Sequence, residues 1–355
     1  MSIRLPQTDV RENNTEGCEN TIQTNPEGRR KSQRKRLPPW FKTSLPTGVS
    51  QIRYNETKVN VFEHGLHTVC EEARCPNIHD CWGRGTATFM IAGDICTRGC
   101  RFCAINTQKS PPALNPNEPE ELAEAVVRMG VSHAVITVVN RDDLPDGGAN
   151  HYKNCILAVH EKAPEIGLEL LCSDLDGNLN SLEHLLHDLP LQVFAHNVEC
   201  VPRLDSIVRD KRASFDQSLK ILREARRLRP DIRIKSSIMV GVGETDEEVV
   251  DAMRLLREAG VHIITLGQYL RPSWKHLAVD RFPDPTTFAE WDQAARELGF
   301  LAVASGPLVR SSYRAGLLFD ESQGGEPVVT RDSTGSAISH LNPSEYLLNN
   351  EHETI

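Results

Sequence analysis

The chain has no apolar run near the roughly 18 residues that a membrane-spanning helix requires, and its N-terminus lacks the apolar segment of a secretory signal. Acidic residues near the start argue against a transit peptide as well; they are Asp9, Glu12, Glu16 and Glu19. Positive charge is not in excess, since 49 acidic residues outnumber 40 basic ones and leave a net charge of −9. We therefore expect a cytoplasmic protein that binds neither membranes nor nucleic acids.

Aromatic residues are scarce, at 5% of the chain, and no repeat of fixed period is present. The 355 residues nevertheless suffice for one large α/β domain with extensions. Both ends are polar, so we expect disordered tails over residues 1–37 and 321–355. The first tail ends in the basic runs Arg29–Lys31 and Arg34–Arg36, for which contact with an acidic partner is the alternative role.

Cysteine is the informative residue, because six of the ten lie between positions 70 and 103. They form two triplets, which are Cys70, Cys75 and Cys81, then Cys96, Cys100 and Cys103. Thiolates at such short spacing hold soft metal centres, and in a large chain they favour metal over disulfides. A triplet ligates three irons of a 4Fe–4S cluster and leaves the fourth iron open. At this point a zinc site completed by a distant histidine and an electron-transfer cluster remain alternatives.

Beyond the first triplet, apolar and β-branched runs alternate with helical patterns. The predicted strands are Thr86–Asp94, Val131–Val139, Leu168–Leu175, Leu191–Val198, Ile232–Val240 and His262–Leu270, with a short further strand indicated at Phe300–Ser305. This alternation predicts a parallel sheet with right-handed crossovers, and six units form a partial (β/α)6 TIM-type barrel where the closed barrel needs eight. Chemistry in such folds lies on the loops after the strands, and the second triplet directly follows the first strand.

Two motifs resemble those of a known family. CTRGCRFC at Cys96–Cys103 resembles the signature of the radical S-adenosylmethionine superfamily, and CEEARCPNIHDC at Cys70–Cys81 resembles the auxiliary-cluster motif of the lipoyl synthases. RDDLPDGGA at Arg141–Ala149 and GFLAVASGPLVRSSY at Gly299–Tyr313 extend the resemblance, which covers about residues 37 to 319. It implies an N-terminal cluster-bearing extension at 38–85, a barrel at 86–305 and a closing C-terminal segment at 306–320.

The resemblance also implies a sulfurtransferase that inserts two sulfur atoms at C6 and C8 of a protein-bound octanoyl group. Cys96, Cys100 and Cys103 would hold the cluster whose open iron binds S-adenosylmethionine. Cys70, Cys75 and Cys81 would hold an auxiliary 4Fe–4S cluster, from which the sulfur is taken. Its fourth ligand would be the serine that opens the SSY motif, Ser311, with Ser312 as the alternative.

Five further residues lie where the resemblance and the strand order predict contact with the cofactor. Arg141 and Asp142 follow the second strand, and Gly241, Gly243 and Glu244 follow the fifth. Glycines permit a close approach of backbone to ligand, whereas structural ion pairing is the alternative for the first two residues. The chain departs from the family pattern at Ser173–Leu175, Ser237 and Arg314, none of them a proposed cluster ligand. The remaining cysteines share no ligand-like spacing and are expected to be non-ligands; they are Cys18, Cys155, Cys172 and Cys200.

The implied substrates are octanoylated lipoyl carrier domains, namely the E2 subunits of 2-oxoacid dehydrogenases and the H protein of glycine cleavage. An electron donor such as ferredoxin or flavodoxin and a protein that repairs the auxiliary cluster would be further partners. Nothing in the sequence demands more than a monomer. The rival functions are another sulfur-inserting radical enzyme and a non-catalytic iron–sulfur carrier. The open iron at the second triplet argues against the carrier, which has no use for a vacant coordination site.

Overall fold

The computed structural model describes residues 37–41, 48–63, 70 and 75–328. Nearly all of the predicted N-terminal tail, with Cys18 and both basic runs, lies outside the described residues, as does residue 329 onward. Within the described ranges, no helix combines the length and apolar character needed to cross a membrane.

Seven parallel strands form one sheet in which spatial order follows chain order. They are β1 (Thr86–Ile91), β2 (His133–Val138), β3 (Gly167–Leu171), β4 (Val193–Ala195), β5 (Arg233–Val240), β6 (Ile263–Gln268) and β7 (Ala302–Gly306). All strands are largely buried, which suits the near-continuous apolar runs that predicted them. The predicted partial barrel is therefore confirmed, and the short seventh strand belongs to it because β7 pairs in register with β6.

Helices connect the strands and cover the outer face of the sheet. They are α1 (Val49–Glu63), α2 (Ile78–Gly83), α3 (Glu118–Met129), α4 (Ala149–Lys162), α5 (Leu179–Leu186), α6 (Asp205–Val208), α7 (Phe215–Leu228), α8 (Asp246–Glu258), α9 (Pro285–Glu297) and α10 (Ala315–Ser322). Local sequence fixes several ends: Thr245 and Glu248 form a capping box at the start of α8, and Gly130 ends α3 in the left-handed conformation.

The amino-terminal end of the barrel is closed by α10. Phe319 on this helix stacks on His133 at the start of β2, with ring centroids 6.5 Å apart. Above it, Lys235 donates to Glu169 at 2.8 Å in a buried ion pair inside the barrel. The folded chain continues to Val328, because Glu321 pairs with Arg296 and accepts the Val328 amide. Glu321, Ser322 and Val328 are thus buried, with residues 323–327 exposed between them, where a polar tail was predicted to begin.

The gap between β1 and β7 is spanned by segments from the two ends of the fold. Asn77 donates its side-chain amide to the Leu308 carbonyl at 2.6 Å, and Arg314 pairs with Asp80 at 2.7 Å. Cys81 belongs to one small apolar cluster with residues of β6, β7 and α10. The N-terminal extension and the C-terminal segment therefore meet each other across the open side of the sheet.

Candidate active site

The second cysteine triplet lies on the loop after β1, as the sequence predicted. Cys96 is in a two-residue strand that pairs with residues 106–107, which folds the loop back on itself. The Arg98 amide donates to the Cys96 thiol at 3.4 Å, and the Asp210 amide donates to the Cys100 thiol at 3.3 Å. The sulfur atoms of Cys96 and Cys100 therefore each accept a hydrogen bond from a backbone amide.

These thiols face a cavity of about 260 Å³ at the carboxyl ends of the strands. Its polar lining includes Arg98, Asn140, Ser173, Asp174, His196, Asn197, Glu199 and Arg209 beside the three cysteines. Burial raises the pKa of Cys100 to about 11 and also raises the pKa of Cys103. A cationic soft metal would favour the thiolates that burial disfavours, so three clustered thiols at a cavity fit an iron–sulfur cluster with one open iron.

The first triplet lies against the other half of β1. Cys70, Cys75 and Cys81 share a small pocket with Thr86 and Thr88 of that strand. Burial raises the pKa of Cys70 to about 11, and it raises the pKa of the other two thiols as well. All three cysteines are free of disulfides. Three mutually close thiols, of which Cys70 and Cys81 are buried, are again the donor set that a soft cluster requires.

One face of β1 joins the two triplets. Side chains at alternate positions of a strand point the same way, so Thr86, Thr88 and Met90 share a face. Thr86 and Thr88 line the pocket of the first triplet, whereas Met90 lines the cavity of the second. Because a strand rises about 3.3 Å per residue, Thr88 and Met90 are separated by roughly 7 Å along β1. Both triplets therefore lie along the same face of β1.

The C-terminal SSY motif reaches the first triplet, but the serine that lines the pocket is the second of the motif and not the first. Arg310, Ser312 and Tyr313 line the pocket together with the three cysteines. Ser311 is half-buried and is not among the lining residues. Ser312, the alternative ligand, is thus the serine that lines the pocket with the cysteines, and the assignment of Ser311 stays a prediction.

Arg141 and Asp142 lie near the cavity without lining it. Arg141 pairs with Asp143 at 2.8 Å and donates to the Pro112 carbonyl at 3.1 Å, which ties the loop after β2 to the loop after β1. Asp142 accepts two bonds of 2.8 Å from Arg98. Their side chains are thus occupied by the protein, and direct contact with a cofactor stays untested.

In the loop after β5, the functional groups are also occupied by bonds within the protein. Glu244 is buried and accepts the amides of Gly241 at 2.6 Å and Val242 at 3.0 Å, while burial raises the pKa of its carboxyl group. Gly241 has φ of +91°, and a Cβ there would lie 2.5 Å from the Arg281 carbonyl oxygen. Gly243 has open space around it. These three residues lie outside the cavity lining, and their contact with cofactor stays a prediction.

Several cavity residues were not singled out from the sequence, and Glu199 is the most informative. It has φ of +68°, which is rare for a residue with a side chain. Burial raises the pKa of its carboxyl group, and Arg209 opposes that shift. Asn197 and His196 precede it at the end of β4. The predicted strand Leu191–Val198 ran through His196 and Asn197, whereas the observed strand ends at Ala195, so the sequence did not indicate that these two residues follow it.

A further group of possible ligands contains Cys155, which was expected to be a non-ligand. Among the described residues, Glu118, His151 and Cys155 bring their ligand atoms within 4.8 Å of one another. The Glu118 carboxylate already accepts the Ala92 amide at 2.8 Å and pairs with His151. These bonds hold the start of α3 against the loop after β1, which explains the group without a metal.

Two family models match the chain. One is the radical SAM superfamily, over residues 90–256, and the other is the N-terminal domain of lipoyl synthase of the radical SAM family, over residues 9–75. Among solved structures, the FeFe-hydrogenase maturase HydG from Carboxydothermus hydrogenoformans matches with a TM-score of 0.50 and 15% identity. The match covers 79% of this chain and 69% of that one, and it supports the partial-barrel fold alone.

Curated relatives are much closer in sequence. The mitochondrial lipoyl synthases of Xenopus laevis and Homo sapiens are 50% and 49% identical over 296 residues, which is 82% of this chain and 78% of theirs. That of Uncinocarpus reesii is 48% identical over 306 residues, which is 85% of this chain and 72% of its own. Their mitochondrial names overturn the expected cytoplasmic location. The acidic residues near the N-terminus were therefore a poor guide to compartment.

Half of the aligned residues are identical to curated lipoyl synthases over four fifths of the chain, and both cysteine triplets lie at one barrel interior. The chain belongs to the lipoyl synthase family of radical S-adenosylmethionine enzymes.

Proposed function

We propose that the two triplets divide the family's reaction between them, with Cys96, Cys100 and Cys103 at the radical-forming cluster and Cys70, Cys75 and Cys81 at the sulfur source. The enzyme inserts two sulfur atoms at C6 and C8 of a protein-bound octanoyl group, and it uses S-adenosylmethionine and two 4Fe–4S clusters. When bound, these groups supply a radical strong enough to take hydrogen from an alkyl chain and the sulfur that replaces it, which side-chain acids and bases cannot do. The shared face of β1 supports this division, because it holds both triplets against a single strand.

The chain's own residues bind and orient. We assign Glu199 and Asn197 to polar groups of S-adenosylmethionine, since both line the cavity and the Glu199 backbone is held in an uncommon conformation. Arg141 and Asp142 are proposed to act by shaping the loops beside the second triplet, through Asp143 and Arg98. Gly241, Gly243 and Glu244 are proposed to do the same for the loop after β5.

The fourth protein ligand of the auxiliary cluster is proposed to be Ser311, with Ser312 second. An alkoxide is a harder ligand than a thiolate, so an iron that it holds is more easily released when the cluster gives up sulfur. Arg310 lies close enough to Cys75 to oppose the rise of that thiol's pKa, which places this segment beside the cysteines. Ser311→Ala and Ser312→Ala distinguish the two, because only loss of the ligand should lower iron content.

The partners and location extend the family assignment. We propose octanoylated E2 subunits of 2-oxoacid dehydrogenases and the glycine cleavage H protein as substrates, and mitochondria as the compartment, by analogy with the relatives' names. A ferredoxin- or flavodoxin-type electron donor and a cluster-repair protein complete the proposal. The single chain carries both triplets and the cavity, so a monomer suffices.

The test is anaerobic incubation of reconstituted enzyme with S-adenosylmethionine, a reductant and an octanoylated carrier domain. The carrier should gain two sulfurs for two hydrogens, and 5′-deoxyadenosine should be released. Cys100→Ser should abolish both products. Cys75→Ser should lose about half of the iron and all sulfur insertion while still releasing 5′-deoxyadenosine. Cys200→Ser is the matched control, because this thiol lines neither cysteine pocket and the hydrogen bond of its side chain goes to Asp205; both products should persist. Sulfur insertion that survives in Cys75→Ser would refute the division of labour.

A further inference from the structure

Two exposed apolar side chains lie at the carboxyl ends of the strands. Trp274, in the loop after β6, is 52% exposed, and Ile207 on α6, after β4, is 43% exposed. The other exposed large apolar side chains among the described residues lie on α1, on the outer faces of α3 and α4, or towards the amino-terminal end of the barrel. In the described part of the chain, Trp274 and Ile207 are therefore the exposed large apolar side chains at the active face.

Arg101 ties both of these side chains' loops to the second triplet. Its amide donates to the Val208 carbonyl at 2.9 Å and its guanidinium to the Ile207 carbonyl at 3.2 Å. Its carbonyl accepts the Leu277 amide at 2.9 Å, which fixes the loop that carries Trp274. Arg101 lies between Cys100 and Cys103, which line the cavity. The two exposed side chains therefore lie on segments that are hydrogen-bonded directly to the cysteine loop.

Positive charge surrounds these side chains. Lys211, Lys275 and Arg101 are exposed, and in the described part of the chain none of them has a carboxylate within ion-pair distance. Asp210, which precedes Lys211 in the sequence, is paired with Arg212. Arg271 lies over the Trp274 ring at 5.1 Å. The exposed charges of Arg101, Lys211 and Lys275, on a chain of net charge −9, are complementary to an acidic surface.

We propose that this surface docks the acidic protein domain that carries the octanoylated lysine. The rim patch, as we name it, consists of Arg101, Ile207, Lys211, Arg271, Trp274 and Lys275. The proposal rests on the proposed function, because it assumes a carrier-bound substrate. The octanoyl group lies at the end of a long side chain, so the carrier's backbone stays outside while the alkyl chain enters the cavity. The carrier must then rest on the rim, where tryptophan is the residue type that most often anchors a specific interface.

The experiment compares two substrates in single turnover with dithionite as reductant: an intact octanoylated carrier domain and a short octanoyl-lysine peptide. Trp274→Ala should weaken carrier binding about tenfold and leave turnover of the peptide within about twofold. Lys211→Glu and Lys275→Glu should weaken carrier binding more at low salt than at high salt, because exposed charges are screened. Matched controls are Leu157→Ala, an apolar side chain 39% exposed on α4, and Lys220→Glu on the exposed face of α7. Both should bind the carrier normally.

Three results would overturn the proposal. Carrier affinity unchanged in Trp274→Ala and Lys275→Glu would show that the carrier docks elsewhere. Equal losses with carrier and peptide would place the effect inside the cavity. Activity that is lost with a protein electron donor but kept with dithionite would assign the rim patch to the reductant. Failure of the proposed function looks different, since the unaltered enzyme would then release 5′-deoxyadenosine without adding sulfur to either substrate.

Discussion

Replacing Arg98 with Gln removes the cation that three carboxylates share beside the second triplet. The guanidinium donates two bonds of 2.8 Å to Asp142 and one of 2.7 Å to Asp174, and it lies 3.3 Å from Asp176. Burial opposes the charged form, but the hydrogen bonds to Asp142 and Asp174 raise the pKa of Arg98 above its ordinary value. Since the amide of the same residue donates to Cys96, this ion network fixes the loop that holds the second cysteine triplet.

The magnitude follows from burial. The side chains of Arg98 and Asp174 are each 1% exposed. Arg98→Gln therefore leaves a desolvated carboxylate whose remaining donors are the Gln217 side chain and the Asp176 amide. Breaking a buried pair in this way costs about 3 to 5 kcal/mol. Asp176 is 62% exposed and adds little, because water screens it. Arg98→Lys keeps the charge but loses the two-pronged contact with Asp142, so a smaller loss of about 1 to 3 kcal/mol is expected.

Urea unfolding of the anaerobic, cluster-free protein measures this loss without the contribution of metal binding. Asp174→Asn added to Arg98→Gln should recover part of it, with a coupling energy of about 1 to 3 kcal/mol. Burial alone would raise the pKa of Asp174, but the Arg98 hydrogen bond holds it below its ordinary value. The pair therefore stabilises above about pH 4 and is lost as the pH falls through the lower folded value. Strictly additive effects, or a change under about 0.5 kcal/mol for Arg98→Gln, would refute the reasoning.

Three further changes test other parts of the fold. Lys235→Met leaves Glu169 buried without its cation, so urea unfolding should show a loss of about 3 to 5 kcal/mol that Glu169→Gln in the same chain partly restores. Burial lowers the pKa of His262 to about 4. The neutral ring therefore makes its full contribution to the free energy of unfolding above about pH 6.5. Between about pH 6.5 and pH 4, the unaltered chain should lose more stability than His262→Gln does. Gly267→Ala places a Cβ 2.0 Å from the Val309 carbonyl oxygen and should displace the C-terminal segment. The variant should therefore lose sulfur insertion but still release 5′-deoxyadenosine. Equal loss of both products would contradict this reading.

The sequence was informative wherever the signal is local. Cysteines separated by a few residues must lie together whatever the fold, and strand–helix alternation predicts a parallel sheet without knowledge of any contact. The position of Cys96–Cys103 after β1 followed from the same pattern. The seventh strand was harder to predict because β7 is short, and its pairing with β6 is a long-range contact that periodicity does not report.

Direction of side chains was the main thing that the sequence could not supply. A residue after a strand of a parallel sheet lies on the active face, yet this says nothing about what its side chain meets. Arg141 and Glu244 are on that face and are occupied by Asp143 and by backbone amides. Glu199 lies on the same face and lines the cavity, with a backbone conformation that no composition pattern indicates.

Closure of the barrel explains why the auxiliary triplet needs both ends of the chain. A parallel sheet that stops at seven strands leaves edges at β1 and β7, and exposed edges must be covered. Here the cover is made where Asn77 meets Leu308 and Asp80 meets Arg314, with Cys81 and Tyr313 in the same apolar cluster. The residues that close the sheet are thus neighbours of the first cysteine triplet. Because metal binding stabilises the arrangement of its ligands, an auxiliary cluster held by this triplet, as proposed, would be thermodynamically linked to closure of the barrel.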